Sequence, residues 1–230
     1  MQLWLGNKNY SSWSLRPWLL MTHSGIAFEE IKLRLSFSAD SEFKQRLAAI
    51  TPAGRVPVLV DEGFAVWDTL AIAEYLADKL PAKQLWPLEP KARARARSLC
   101  AEMHSGFSAL RSGCPMNIEA SLPEVGARLL RTDAAFGADL ARINNMWQQQ
   151  LGASGGPFLF GAFSIADAYF APVCARIRGY ALPVPRDVAA YVERIFALPA
   201  MQRWVADALA EHDWLDEDEP YRSRRPHDAS

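Results

Sequence analysis

Apolar residues in the first 35 positions recur with the periods of strands and of a helix. Residues 2–5 form a short apolar run, and residues 28–35 alternate in part between apolar and polar positions, so both segments predict strands. Between them, residues 15–23 carry apolar side chains at helical spacing. Pro17 fits this helix because it falls in the first predicted turn, where no backbone donor is needed. The chain is therefore predicted to start with a strand, a helix and a strand.

The pattern of the next positions predicts a helix followed by a hairpin. Residues 40–49 place apolar side chains at intervals of three and four, with Ser38 and Asp40 as candidate caps. Residues 56–60 and 64–67 are rich in β-forming residues, and the turn between them contains a glycine. Two antiparallel strands are the expected result.

Helical periodicity dominates the chain from Asp68 onward. Asp68 caps a predicted helix that ends near Leu80 and closes the order βαβαββα. Farther along, Ser164 and Asp167 have the spacing of a capping box, which marks the start of another helix. Further helices are predicted over residues 91–111, 133–151, 165–178, 188–197 and 200–211.

This change of pattern predicts a two-part organisation. Residues 1–81 form a mixed α/β domain, and residues 91–215 form an all-helical domain after a proline-rich linker. Residues 216–230 are charged and contain proline, so we expect a mobile polar tail. Many unrelated proteins share such an arrangement, and the function must be argued from a site.

Composition narrows the range of partners. The net charge of the 230 residues is -1, which gives no electrostatic reason to expect nucleic acid or an acidic membrane surface. The start of the chain has no basic segment followed by an apolar stretch, so we expect the protein to stay in the cytoplasm. Neither a disulfide framework nor a metal site is indicated, because the three cysteines lack a paired spacing. They are Cys100, Cys114 and Cys174.

The first candidate for chemistry is the serine-rich segment 10–16, which lies between the first predicted strand and the first predicted helix. Backbone N–H groups and the helix dipole favour an anion at such a position, and a thiolate is one such anion. The same serines can also serve only as caps of the helix. The sequence alone leaves both interpretations open.

Two other segments are of interest for the same reason. Val56-Pro57 stands at the head of an apolar strand, where the proline belongs either to a cis bond or to an edge strand. Asp68 and Thr69 stand at a helix start, where a carboxylate and a hydroxyl can receive an α-amino and α-carboxylate group. Simple helix capping is the alternative for this pair.

Taken together, these segments resemble the glutathione transferase superfamily, and the resemblance covers nearly the whole chain. Ser11-Ser12-Trp13-Ser14 is similar to the serine motif of the zeta-like transferases, and Arg55-Val56-Pro57 is similar to the segment that holds the family's cis-proline. Asp68-Thr69 resembles the family's acid-hydroxyl pair, and the box at 164–167 resembles its capping box in the helical domain.

The resemblance implies a thioredoxin-like domain that holds glutathione as co-substrate and a helical domain that completes a second-substrate pocket. It implies that Ser11 faces the sulfur, with Ser12 as its rival, and that no metal takes part. Val56 pairs its backbone with the cysteinyl part, and Asp68 and Thr69 take the γ-glutamyl end. The other implied glutathione-binding residues are Ser14, Lys44, Arg55 and Pro57. The second-substrate candidates, for which ordinary core packing is the alternative, are Tyr10, Trp13, Met103, His104, Phe107 and Arg111.

The activity implied by the resemblance is attack of a glutathione thiolate on a small, hydrophobic electrophile, as in detoxification. Peroxidase or isomerase activity and a non-catalytic binding module are the alternatives. Trp13 stands where the zeta-like motif usually has cysteine, which counts against maleylacetoacetate isomerase activity. The absence of a cysteine at Ser11 or Ser12 counts against thiol transfer through an enzyme cysteine. A homodimer is also implied.

Overall fold

A computed structural model describes residues 1–36 and 38–223. Its sheet has four strands in the order β2-β1-β3-β4. The central strand β1 pairs parallel with β2 and antiparallel with β3, and β3 continues through a tight turn into β4. Both turn residues, Glu62 and Gly63, have positive φ angles of 50° and 86°, as a two-residue hairpin requires. The strands are β1 (Gln2–Leu5), β2 (Glu29–Lys32), β3 (Val58–Asp61) and β4 (Phe64–Trp67).

Three helices complete the predicted order βαβαββα, which the structure confirms. The first helix begins three residues earlier than predicted, so Pro17 lies in its second turn and not in the first. The cap of the second helix is Ser41, whose hydroxyl accepts from the Lys44 N–H, and not Ser38 or Asp40. These helices are α1 (Ser12–His23), α2 (Glu42–Ala48) and α3 (Thr69–Lys79).

The rest of the described chain is mainly helical. The helix predicted over 91–111 is two helices, because the chain leaves helical geometry at Gly106 and Phe107, where Phe107 has a φ of 56°. The capping box of Ser164 and Asp167 is present. The helices are α4 (Pro90–Ser105), α5 (Ser108–Gly113), α6 (Pro123–Thr132), α7 (Ala134–Ser154), α8 (Ile165–Gly179), α9 (Arg186–Ala197) and α10 (Pro199–Leu209), of which α6 was not predicted.

One hydrophobic core joins the sheet side of the molecule to the helical side. Trp18 of α1 is fully buried and packs edge-on against Trp204 of α10, with 5.1 Å between the ring centroids. The buried face of α1 also packs along α8, which is buried over nearly its whole length. The division into domains 1–81 and 91–215 stays a prediction, because one hydrophobic core contains residues of both segments.

The segment that follows α10, residues 211–223, is a strap that binds back to the first loop of the chain. The carboxylate of Glu211 accepts from the backbone N–H of Lys8 at 2.8 Å and of Asn9 at 3.2 Å. Farther along, Glu219 is 6% exposed and accepts from the Tyr10 hydroxyl at 2.8 Å. The predicted mobile tail 216–230 is therefore docked over 216–223, because its acids find buried donors; residues 224–230 lie outside the described residues.

Candidate active site

A cleft of about 610 Å³ opens where α1, the loop before β3 and α5 meet. Tyr10, Ser11, Ser12 and Trp13 form the wall at the start of α1. The other lining residues are Leu35, Phe43, Lys44, Gly54, Arg55, Val56, Ser105, Ser108, Arg111, Ser112, Pro115, Met116, Arg176 and Asp218. The cleft thus contains the predicted serine segment, part of the predicted proline segment and part of the predicted helical wall.

Ser11 is a fixed hydroxyl at the N-terminus of α1. Its oxygen accepts from the backbone N–H of Ser14 at 3.4 Å, and the two hydroxyl oxygens share a hydrogen bond of 2.7 Å. The Ser14 oxygen in turn accepts from the backbone N–H of Gly6 at 3.1 Å. Ser14 is fully buried, and Ser11 is 7% exposed and lines the cleft. Ser14 therefore holds Ser11 in place from the protein side and does not reach the cleft itself.

Ser12 is the first residue of α1 and also lines the cleft. Among the described residues its hydroxyl has no hydrogen-bond partner, whereas its backbone N–H donates to the Tyr10 carbonyl at 2.8 Å. The structure therefore brings both serines to the cleft, one held in a fixed position and one able to rotate.

The loop before β3 provides backbone groups and two cations. The Val56-Pro57 bond is cis, and within the described chain Val56 forms no backbone hydrogen bond. Pro57 is buried behind the cleft. Lys44 donates to the carbonyl of Gly54 at 3.0 Å, which ties α2 to this loop. Lys44 and the exposed Arg55 both line the cleft.

Asp68 and Thr69 lie outside the lining of this cleft. One carboxylate oxygen of Asp68 accepts from Leu70 N–H at 2.9 Å, and the other lies 3.5 Å from His104 Nε2. The Thr69 hydroxyl is 2% exposed and bonds the Tyr169 hydroxyl at 2.9 Å. The Tyr169 hydroxyl also bonds His104 Nδ1 at 2.7 Å. These residues form one polar network between α3, α4 and α8.

The predicted second-substrate stripe is divided by the break after α4. Met103 and Phe107 are buried in the core and do not reach the cleft, because the helical spacing that joined them to Arg111 ends at Ser105. Arg111, now on α5, lines the cleft with its guanidinium 4.9 Å from the centroid of the Trp13 ring. His104 packs edge-on against Trp13 at 5.3 Å, outside the lining.

Sequence reasoning missed Arg176 and Asp218, two charged residues of the cleft. Arg176 donates to the carbonyls of Cys114 at 2.8 Å and Pro172 at 3.2 Å. Burial, followed by the charges of two other arginines, lowers its pKa to about 10. Arg176 could have been found from the sequence, because a charged residue stands out in the apolar segment 165–178. No sequence pattern predicts that Asp218 lies near a loop some 200 positions away.

The cleft is electropositive where Arg111 and Arg176 meet. Arg111 donates to the carbonyls of His104 and Gly106, each at 3.3 Å. Over residues 1–36 and 38–223, both arginines are therefore held by neutral carbonyls and not by carboxylates. Asp218 is the acid of the described lining, and burial followed by the charges of Glu217 and Glu219 raises its pKa. This part of the cleft is therefore suited to an anionic group.

The strap fixes the tyrosine that borders the cleft. Burial, followed by the hydrogen bond to Glu219, raises the pKa of Tyr10, so its hydroxyl stays a donor. For Glu219, burial alone would raise the pKa, but hydrogen bonds from Arg222, Tyr10 and Asn117 outweigh it and lower the pKa. The carboxylate at the centre of this cluster is thus stabilised in its charged form.

Replacing Glu219 by glutamine should lower the thermal unfolding midpoint at pH 7, because a neutral amide loses the charge-assisted hydrogen bonds that hold the strap. Since folding lowers the pKa of Glu219, its stabilisation is present above the ordinary value of 4.5 and is lost as the pH falls through the lower folded value. The difference between the two proteins should therefore shrink below about pH 4 in thermal melts over a pH series. Glu217→Gln, in the exposed turn beside it, is the control. An equal difference at every pH would contradict this account.

No helix within 1–36 and 38–223 is long and apolar enough to span a membrane. The same residues contain no group of three histidine, cysteine or acidic side chains arranged to hold a metal ion.

The chain matches two family models along most of its length. Residues 10–79 match the glutathione S-transferase N-terminal domain, and residues 108–207 match the glutathione S-transferase C-terminal domain. The segments 10–79 and 108–207 contain Ser11 and Arg176, which both line the cleft.

Similar proteins include curated isomerases. Maleylacetoacetate isomerase of Rattus norvegicus is 29% identical over 102 residues, which are 44% of this chain and 47% of that protein. A probable maleylacetoacetate isomerase of Caenorhabditis elegans is 32% identical over 99 residues, 43% of this chain and 44% of that protein. The chain thus spans about half the length of the curated relatives it matches.

Solved structures share the whole fold. A glutathione transferase homolog from Burkholderia, solved with bound glutathione, is 26% identical with a TM-score of 0.67, and the match covers 91% of this chain and 98% of that one. The holo structure of a maleyl pyruvate isomerase, described as a bacterial glutathione S-transferase of the zeta class, has a TM-score of 0.67 at 19% identity, with 90% and 98% covered.

Proposed function

The chain belongs to the glutathione S-transferase family, and from this we propose that it binds glutathione in the cleft and uses its thiolate to attack a small electrophile. The observation that carries the proposal is the Ser11 hydroxyl, held by Ser14 at the N-terminus of α1 and facing the cleft. A hydroxyl and the helix dipole together favour a sulfur anion at this position.

The glutathione backbone has suitable partners along the cleft. Val56, whose backbone groups form no backbone hydrogen bond among the described residues, pairs with the cysteinyl part. Lys44 and Arg55 offer cations to a carboxylate. At the γ-glutamyl end, Asp68 offers a partly exposed carboxylate, and Thr69 offers its backbone N–H, because its hydroxyl is already bonded to Tyr169.

Ser11 stabilises the thiolate by donation. In the structure the Ser11 hydroxyl donates to the Ser14 oxygen, which also accepts from the Gly6 N–H and keeps its own hydrogen. When the thiolate binds, this hydrogen bond reverses, so that Ser14 donates to Ser11 and the Ser11 hydrogen turns to the sulfur. Such a chain of donors polarises each hydroxyl toward the anion. The thiolate then forms a bond to the electrophilic atom, whose leaving group or electron pair departs, while the fixed donor keeps sulfur and substrate aligned.

Isomerisation of an acidic substrate is a second candidate, favoured by the electropositive end of the cleft. In the part of the chain that the structure describes, Arg111 and Arg176 have carbonyl partners and no carboxylate partner, so we take their charge as available to a carboxylate of the second substrate. The curated relatives that the chain matches include maleylacetoacetate isomerases. Trp13, at the position where the zeta-like motif usually has cysteine, remains the argument against the same substrate.

Replacing Arg111 by methionine should separate these candidates. With an electrophile that carries a carboxylate, we expect kcat/KM to fall about tenfold to hundredfold, since a charged hydrogen bond contributes about 1.5–3 kcal/mol. With a neutral aryl halide, kcat/KM should change less than threefold. Equal losses with both substrates would show that Arg111 acts on the structure of the cleft and not on substrate charge.

We expect a cytoplasmic homodimer with a role in detoxification. The three cysteines of the chain are buried and free, which fits a reducing compartment. Large apolar side chains are exposed at Phe64, Trp67 and Leu88, as at a contact surface. A single 25.6 kDa species in light scattering would contradict the dimer.

Two experiments test the proposal. The first measures whether the protein is retained on immobilised glutathione, and the second assays turnover of an aryl halide, a hydroperoxide and an acidic dicarbonyl compound. Binding with conjugation of the halide supports the transferase. Turnover confined to peroxide or dicarbonyl identifies the other activities. Binding without any turnover indicates a binding module, and failure to bind glutathione contradicts the proposed function itself.

A further inference from the structure

Arg16 of α1 is a buried cation that has no acidic partner among the residues that the structure describes. Its side chain is among the buried charged groups at 3% exposure, and its Nε and Nη1 atoms have no hydrogen-bond partner within 1–36 and 38–223. The guanidinium lies between two aromatic rings, 4.2 Å from the centroid of Trp13 and 4.0 Å from that of Tyr169. A buried ion is strongly destabilising unless it is paired. This arrangement therefore calls for an explanation other than stability.

The groups around Arg16 leave its charge uncompensated. Within the described residues, the titratable groups that act most strongly on it are Tyr169 of α8, Arg111 of α5 and Cys100 of α4, none of which is a carboxylate. Its charge also interacts with that of Arg176 of α8. Asp68, at the start of α3, acts on Tyr169. Burial, opposed in part by Tyr169, lowers the pKa of Arg16 to about 10, so the guanidinium is still charged at neutral pH.

A buried water molecule does not remove the problem. A void of about 10 Å³ borders Arg16, Thr69 and Tyr169, which is close to the smallest volume that holds one water. Such a water satisfies an N–H group, but it carries no charge. Neutralisation has to come from an anion bound elsewhere.

Helix geometry directs this charge toward the cleft. Side chains on a helix lean toward its N-terminus and cover the preceding turn. Arg16 lies one turn after Ser12, and its guanidinium accordingly stacks on Trp13, whose ring is also approached by Arg111 of the cleft at 4.9 Å. The charge of Arg16 therefore lies behind Trp13, which lines the cleft, and it adds to the positive end of the α1 dipole.

We propose that Arg16 is an electrostatic positioning residue, which stabilises the anion bound at Ser11 through space and without touching it. The inference rests on the proposed function, because the anion it invokes is the glutathione thiolate. Two groups then stabilise the thiolate. The Ser11 hydroxyl contacts it, and the Arg16 guanidinium acts from behind the wall of the cleft.

The test is a titration of bound glutathione by thiolate ultraviolet absorbance, together with thermal melts. In Arg16→Met the pKa of the bound thiol should rise by about one unit, so that the thiolate fraction near pH 7 falls up to about tenfold. The unfolding midpoint should stay equal or rise, because an unpaired buried charge is removed. Arg16→Lys keeps the charge and should restore most of the shift. Arg203→Met, at a 64% exposed side chain, controls for the loss of an arginine.

An unchanged thiolate pKa in Arg16→Met overturns the proposal, and a lower unfolding midpoint with that unchanged pKa assigns Arg16 to packing. If the methionine variant does not fold, Arg16→Gln, which keeps donors but no charge, takes its place under the same criteria. A wild-type protein that fails to bind glutathione overturns both this inference and the proposed function. If the wild-type protein binds glutathione and lowers the pKa of its thiol, and this pKa is the same in Arg16→Met and Arg16→Gln, this inference alone is overturned.

Discussion

Replacing Ser11 by alanine is expected to raise the pKa of bound glutathione by about one to two units and to lower kcat/KM near pH 7 by about tenfold to hundredfold. A free thiol has a pKa near 8.5, and lowering it by about two units requires about 2.7 kcal/mol. A hydrogen bond to a charged acceptor contributes about 1.5–3 kcal/mol, and a helix N-terminus about 0.3–1. The hydroxyl is therefore the larger part of the expected stabilisation. Thiolate absorbance against pH measures the shift directly.

Ser12→Ala is the matched control, since Ser12 lines the same cleft with a hydroxyl that has no partner among the described residues. A fixed donor loses less free energy to reorganisation than a freely rotating one, so the control should shift the pKa much less. A large shift in Ser12→Ala with none in Ser11→Ala would move the role to Ser12. Thermal melts are needed in parallel, because Ser11 also caps α1 and its loss costs about 1 kcal/mol.

Replacing Asp167 by alanine is expected to lower the free energy of unfolding by about 3–5 kcal/mol, enough to unfold a marginally stable chain. The fully buried carboxylate accepts from the backbone N–H groups of Ser164 at 2.9 Å and Leu159 at 3.1 Å, and from the Tyr191 hydroxyl at 3.0 Å. Alanine leaves these donors unsatisfied in the interior, and each one costs about 1–3 kcal/mol. Urea unfolding followed by tryptophan fluorescence measures the loss.

The isosteric variant Asp167→Asn separates the charge from the hydrogen bonds. Burial raises the pKa of Asp167 from 3.8 to about 6, although four hydrogen bonds act against it. Because the folded state binds this proton more tightly, the contribution of Asp167 to stability decreases as the pH rises from about 4 to 6. The asparagine variant lacks that dependence. A difference between wild type and Asp167→Asn that is constant over this range would contradict the raised pKa.

Most of the fold could be predicted because its signals are local. The hairpin before α3 and the capping box at Ser164 each depend on residues less than ten positions apart, and both were found. Helix α6 was missed, since Pro123 and Gly126 weaken a helical pattern. Pro123 occupies the first turn, and a Cβ on Gly126 would lie 2.2 Å from the carbonyl oxygen of Tyr180. That tertiary contact, and not the helix, explains the glycine.

The site could be predicted only in part, because a cleft is assembled from distant segments. Ser11 and Val56 belong to motifs that place them, and they do line the cleft. Met103 fitted the predicted second-substrate stripe just as well as Arg111 did. The helix ends at Ser105, however, and Met103 is buried in the core. Asp218 had no signal at all, because its place depends on the docking of the strap.

The strap has a consequence for synthesis on the ribosome. Glu211 holds the N–H of Lys8 from 203 positions farther along the chain, and Glu219 holds Tyr10 from 209 positions farther along. At about 5–20 residues per second, translation delivers these acids roughly 10–40 seconds after the loop they hold. A nascent chain therefore holds this loop without those partners for that time. The Tyr10 side of the cleft gains its hydrogen bond to the strap only after Glu219 has been synthesised.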